Sequence, residues 1–139
     1  MFVGEYSHSL DAKGRLFIPA NLRDELGKSF YVTIHPDGCL SAYTMERWNL
    51  LNEKLNALSA MQQARLRGVF SNAARCELDA QGRILLPAKL RDYAGLTKNV
   101  AVIGAGASVE FWDADTWAEV NAAITTPEAL KAAFEELGF

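Results

Sequence analysis

The sequence predicts an α+β fold in which two tandem, pseudo-symmetric βαββ repeats interleave into one closed β-barrel, with helices outside. Three observations lead there. A fifteen-residue sentence occurs twice, LDAKGRLFIPANLRD at residues 10–24 and LDAQGRILLPAKLRD at residues 78–92. Both copies are followed by the same order of strand-like and helix-like stretches. Finally, half of a 139-residue chain sits at a size where a core alone is barely sufficient, and no Gly/Ser-rich stretch separates the halves as a free linker. The expected division is 1–58 for the first half, and 59–139 for a connecting helix, the second half and a C-terminal helix, the two halves interleaving into one structural unit.

The elements follow in order. EYSHSL alternates large and polar residues as a half-buried strand does, and RLFIP and RILLP are short β-prone runs ended by proline. Between strand and run lies a tight turn, DAKG or DAQG. Asp11 and Asp79 suit its first position, where a carboxylate accepts a turn N–H, while Gly14 and Gly82 supply the left-handed residue that closes a bulged hairpin. Pro19 and Pro87 then suit a helix's first turn, and ANLRDELG and AKLRDYAG each run one or two turns to a capping glycine. SFYVTIHPDGCLSAYTMERW reads strand, PDG turn, strand and a helix capped by Thr44. NVAVIGAGASVEFWDADTW reads the same way, with Trp48 and Trp117 in matching places. WNLLNEKLNALSAMQQARLRGVFSNAA is helical by period, with Leu51, Leu55 and Leu58 on one stripe, and TPEALKAAFEELG starts with Thr126 as cap and Pro127 in the first turn.

Composition bounds the function. Half the residues are apolar and 22% are charged, as in a folded globular protein, and no apolar run approaches the ~18 residues that span a membrane. The opening MFVGEYSHSLDAKGR lacks the basic start and apolar stretch of a secretory signal, so the cytoplasm is the expected compartment. Cys39 and Cys76 read as buried thiols, and His35 with Cys39 makes a poor metal site because no second pair is in sight, so no metal is expected. The net charge of −3 hides an asymmetry: from Glu110 onward seven acidic residues face Lys131 alone, which leaves a mildly basic body before them. VAVIGAGASV suggests a dinucleotide site but fails on context. The third glycine is replaced by Val109, and the strand SVEFW follows where a helix N-terminus is required. Neither His8 nor His35 lies in a nucleophile motif, and Asp11 and Asp79 have turn duties, so neither catalysis nor a cofactor is expected.

The arginines remain. Arg15 and Arg83 stand four residues after an aspartate across a tight turn, an arrangement that pins a hairpin whatever else it does. Lys13 sits at the turn tip, where a side chain has no core to join. Lys13 and Arg15 therefore place two cations on one hairpin, suited to phosphates and, through bidentate arginine, to guanine in the major groove. The second copy carries Gln81 in place of lysine. Arg23 and Arg91 in the short helices read first as solvated or paired with nearby acids, with direct DNA contact as the lesser alternative, and Arg65, Arg67 and Arg75 carry no clear signal.

These residues resemble the MraZ family of bacterial transcriptional regulators, built from two copies of the swapped-hairpin barrel half of the AbrB and SpoVT type of DNA-binding proteins. The likeness runs through MFVGEYSHSLDAKGR, the DxxGR turns at Asp11–Arg15 and Asp79–Arg83, LPAKLRDYAGL from Leu86 to Leu96, and GAGASVEFWDADTW from Gly104 to Trp117. The resemblance implies a swapped-hairpin β-barrel and a cytoplasmic, nucleoid-associated regulator that binds double-stranded DNA. It further implies action on short direct repeats in the promoter of the cell-division and cell-wall gene cluster, its own gene included. A ring-shaped homo-oligomer and no membrane partner belong to the same implication. DNA contacts map onto Lys13 and Arg15, with Arg83 as the matching residue of the second copy, and Gln81 departs from the symmetry. The competing expectation is a non-catalytic oligomeric protein-interaction module whose arginines only pin turns.

Overall fold

The computed structural model describes residues 1–139. Each copy opens with a short strand, β1 (Glu5–Ser9) or β5 (Ala74–Glu77), turns through the DxxG tetrad, and continues into β2 (Arg15–Phe17) or β6 (Arg83–Leu85). A short helix follows, α1 (Ala20–Leu26) or α5 (Ala88–Ala94), then a strand pair, β3 (Ser29–Ile34) with β4 (Leu40–Thr44) or β7 (Asn99–Gly104) with β8 (Val109–Asp113). Each pair leads into a further helix, α2 (Met45–Asn56) or α6 (Ala114–Ile124). Helices α3 (Ala60–Arg65) and α4 (Arg67–Ser71) connect the copies, and α7 (Pro127–Leu137) ends the chain.

The strands exchange partners between copies. A six-stranded antiparallel sheet runs in the order β1-β7-β8-β4-β3-β5, so β1 of the first copy pairs with β7 of the second and β5 of the second with β3 of the first. The second sheet is the antiparallel ribbon β2-β6, with Leu16 opposite Ile84. Two of its hydrogen bonds reach past the strands, Ile18 N–H to the Gly82 carbonyl at 2.9 Å and Leu86 N–H to the Gly14 carbonyl at 3.0 Å.

Two expectations about the sheets need correction. The closed barrel is not formed: β1 and β5 are edges of the larger sheet, and the ribbon is a sheet of its own. The predicted hairpins also part just beyond their turns, where Asp11 N–H still donates to the Arg15 carbonyl at 3.0 Å and Asp79 N–H to the Arg83 carbonyl at 2.8 Å. The cause lies in the alternation of β2 and β6. Leu16 and Ile84 point inward and Ile18 and Leu86 follow them, all four fully buried with Phe30, Val32, Val102 and Phe111 in the main core. Burying each such side chain is worth ~1.5–3 kcal/mol, which outweighs the ladder bonds a three-residue arm makes with its own neighbour.

The long helical stretch after Trp48 is also broken where one helix was expected. α2 ends at Asn56, and Ser59 starts α3 with a capping box, its Oγ accepting the Gln62 N–H at 3.2 Å while Gln62 Oε1 accepts the Ser59 N–H at 2.9 Å. Leu51, Leu55 and Leu58 nonetheless share one half-buried side with Trp48 and Phe70, around a groove of about 310 Å³. Thr44 and Thr126 cap as the sequence indicates, accepting the Arg47 and Ala129 N–H at 3.1 and 3.2 Å. Both cysteines are buried free thiols. No helix is long and apolar enough to cross a membrane.

The glycine-rich turn after β7 serves the chain's own first residues. Phe2 and Gly106 exchange backbone hydrogen bonds at 2.8 and 2.9 Å, and Gly104 N–H donates to the Gly4 carbonyl at 2.8 Å. A Cβ on Gly104 would meet the Val3 backbone carbonyl carbon at 2.5 Å, so glycine there permits the close approach.

Candidate nucleic-acid interface

The outward face of the β2-β6 ribbon is set by its register. With Leu16 and Ile84 inside, the period of two turns Arg15, Phe17, Arg83 and Leu85 outward, Arg15 standing across from Leu85 and Phe17 across from Arg83. Pairing the ribbon also brings the two DxxG turns together, as Arg83 Nη1 lies 3.8 Å from Asp11 Oδ2. The predicted residues of both copies are thus gathered in one place.

Each turn is wired in the same way. Asp11 Oδ1 accepts the backbone N–H of Lys13 at 3.0 Å and of Arg15 at 2.8 Å, while Oδ2 accepts from Arg15 Nε at 2.6 Å. Asp79 does the same for Gln81, Arg83 and Arg83 Nε, each at 2.9 Å. The Arg15 backbone N–H, followed by its side chain and the Lys13 N–H, holds the Asp11 carboxyl below its ordinary range, and the Arg83 N–H leads the same effect on Asp79. Gly14 and Gly82 close the turns at φ +82° and +80°. Both aspartates stay ionised at neutral pH and fix their arginines by the Nε edge.

The two arginines differ at the other end of the guanidinium. Asp11 occupies only Nε of Arg15, and Nη1 and Nη2 make no hydrogen bond within the protein. Arg83 is more committed, since its Nη2 donates to Gln81 Oε1 at 3.2 Å and its Nη1 faces Asp11. The substitution that removes a lysine from the second turn therefore also engages its arginine. Lys13 is exposed at the tip of the first turn.

Arg23 and Arg91 are placed differently from the sequence reading. A Cβ on Gly82 would meet the Arg23 guanidinium, Cζ at 2.8 Å, and one on Gly14 would meet that of Arg91, also 2.8 Å from Cζ. Each short helix thus lays its arginine over the turn glycine of the opposite copy. Arg23 also stands over the Phe17 ring at 5.2 Å, and Arg91 Nε donates to the Leu86 carbonyl at 3.0 Å. Five cations and two aspartates accordingly share this end of the molecule. Sequence reasoning also passed over Phe17 and Leu85, the latter 59% exposed. Alternation alone identifies them, because a ribbon that buries Leu16 and Ile84 must turn their neighbours out.

The arrangement presents fixed, outward guanidinium groups on a two-stranded ribbon, with apolar side chains between them. A two-stranded ribbon is an element that a major groove can admit, and there arginine is suited to guanine and apolar groups to the thymine methyl.

Comparison with known proteins agrees with the repeat. The family described as "MraZ protein, putative antitoxin-like" matches twice, over residues 1–67 and 69–136. The chain is 52% identical to the Transcriptional regulator MraZ of Heliobacterium modesticaldum, with 87% of each chain covered. It is 49% identical to the protein of that name from Carboxydothermus hydrogenoformans over 84% of each chain, and 42% identical to that of Clostridium beijerinckii over 99% of each. Matched in both copies and along nearly its whole length, the chain belongs to the MraZ family.

Proposed function

We propose that this chain is a sequence-specific, DNA-binding transcriptional regulator that recognises short direct repeats in a promoter, that of the cell-division and cell-wall gene cluster with its own gene included. The observation that carries this reading is the ribbon face, where Arg15 is held at Nε by Asp11 with its terminal nitrogens unengaged, beside exposed Lys13. The names of its relatives, each a transcriptional regulator, support it. Partner exchange by β2 and β6 supports reading each copy as a swapped-hairpin half. Lys13 and Arg15 make the principal contacts, and Arg83 a lesser one because Gln81 holds its Nη2. The protein works without catalysis, in the cytoplasm on the nucleoid, as a ring-shaped homo-oligomer in which several weak contacts add through effective concentration.

One observation favours a second reading. Leu130 at 43%, Phe134 at 55% and Leu137 at 69% exposure leave an apolar side of α7 uncovered, as in an interaction module. A native gel with a promoter fragment at low and moderate salt separates the two. DNA binding gives a shift that weakens as salt rises, whereas an interaction module gives none at either.

A further inference from the structure

Away from the ribbon, the fold assembles three metal-ligating side chains that DNA binding leaves unused. His35 follows β3, Cys39 precedes β4 and Glu110 lies in β8, and their ligand atoms are all within 4.8 Å of one another. Two features bring them together. The turn between β3 and β4 is closed by the His35 N–H donating to the Cys39 carbonyl and the Gly38 N–H to the His35 carbonyl, each at 3.0 Å, which sets His35 and Cys39 at the two ends of one tight loop. The β4-β8 register then places Glu110 opposite Ser41, two residues beyond Cys39 and on the same face of the sheet.

The surroundings are those of a built site. Trp112 Nε1 donates to Glu110 Oε1 at 3.0 Å and orients the carboxylate. His35 Nδ1 lies 3.1 Å from the Asp37 backbone nitrogen and 3.6 Å from the Asp37 carboxylate, so ligation through Nε2 requires the tautomer with its proton on Nδ1, where it donates to that carboxylate instead of accepting the Asp37 N–H. The Tyr93 hydroxyl donates to the His35 carbonyl at 2.7 Å and steadies the turn. Ser41 Oγ, fully buried on the same face, has no hydrogen-bond partner. The second copy serves as an internal control: its equivalent positions are Ala105, Ser108 and, for Glu110, Ser41, so the fold makes this turn without any of the three ligands.

We propose that His35, Cys39 and Glu110 bind one zinc ion, with its fourth position open to water, and thereby clamp the β3-β4 turn of the first copy to β8 of the second. The donor set selects the metal. Thiolate and imidazole with one carboxylate suit zinc, whereas magnesium and calcium require oxygen ligands throughout. Ligand atoms around tetrahedral zinc stand roughly 3.5 Å apart, so metal binding requires the half-exposed His35 and Glu110 to swing inward.

The test uses full-length protein, freed of metal by a chelator and titrated with cobalt(II). Uptake of one cobalt per chain, with a thiolate-to-cobalt band in the near ultraviolet and the visible bands of tetrahedral geometry, is the expected result. Zinc should then displace the cobalt and raise the melting temperature of the chelated protein. Cys39→Ser should abolish the thiolate band, His35→Ala and Glu110→Gln should each weaken uptake by about tenfold or more, and Cys76→Ser should change nothing. His35→Ala lies in a surface turn and keeps the test valid if a variant in the sheet fails to fold. The proposal is overturned by the absence of saturable uptake, by a thiolate band that survives Cys39→Ser, or by uptake that these ligand variants leave unaltered.

Discussion

At the scale of single residues, Arg15 and Lys13 have separable duties. Arg15→Ala should weaken specific DNA binding by about 1–3 kcal/mol, the range for a lost bidentate contact, with the far-ultraviolet spectrum and assembly unchanged. Normal binding by that variant would remove Arg15 from the interface. Lys13→Ala should act through salt instead, lowering the slope of log K against log salt by roughly one. The turn glycines carry a stability prediction. Gly82 has φ +80°, and any side chain there also displaces Arg23, so Gly82→Val should cost more than ~1 kcal/mol in thermal denaturation. The aspartates carry a pH prediction. Their carboxyls are held below the ordinary value, so their contribution is present above about pH 4 and is lost only as pH falls through the lowered value of the folded state, which an NMR titration of Asp11 and Asp79 would follow. The DxxGR turns were legible in sequence because their chemistry is local. The places of Arg23 and Arg91 over the opposite glycines were not, because that contact depends on how the copies are paired.

At the scale of elements, most of what was legible came from caps and periods, and most of what was missed came from register. Thr44 and Thr126 announce their helices, but the break at Ser59 requires weighing a capping box against an uninterrupted leucine stripe. Nothing in the order of strands says that Glu110 stands beside Cys39, since that follows only from the pairing of β4 with β8. Helix α7 gives a direct prediction. It buries no residue completely, so a chain ending at Thr125 should keep its sheet and lose little thermal stability, measured against the full chain by circular dichroism. In the proposed oligomer, the same truncation should reduce the assembled mass by light scattering if α7 lies in a subunit contact.

At the scale of the whole molecule, we propose that the two copies, 1–58 and 59–139, form one cooperative unit. β1 has its only ladder with β7, and β2 its only ladder with β6, so a fragment of residues 1–58 lacks partners for both strands. It should be unfolded, or pair with a second copy of itself. Equilibrium unfolding of the intact chain, followed by tryptophan fluorescence and circular dichroism, should give coincident transitions at fixed concentration. A monomeric, stably folded 1–58 fragment would show the copies to be independent.

The pairing of β1 with β7 also sets a schedule for synthesis. Residues 5–9 leave the ribosome long before residues 99–103, their partners, have been made. At ~5–20 residues per second the interval is on the order of five to twenty seconds, far longer than a hairpin needs to close. During that time β3 and β4 can pair with each other, but β1 and β2 wait beside them with their ladders open, and on a crowded polysome the nearest complement is the same segment of a neighbouring nascent chain. A tandem duplication in one polypeptide ends that exposure as soon as β7 emerges, because the missing strand then arrives on the same chain at high local concentration.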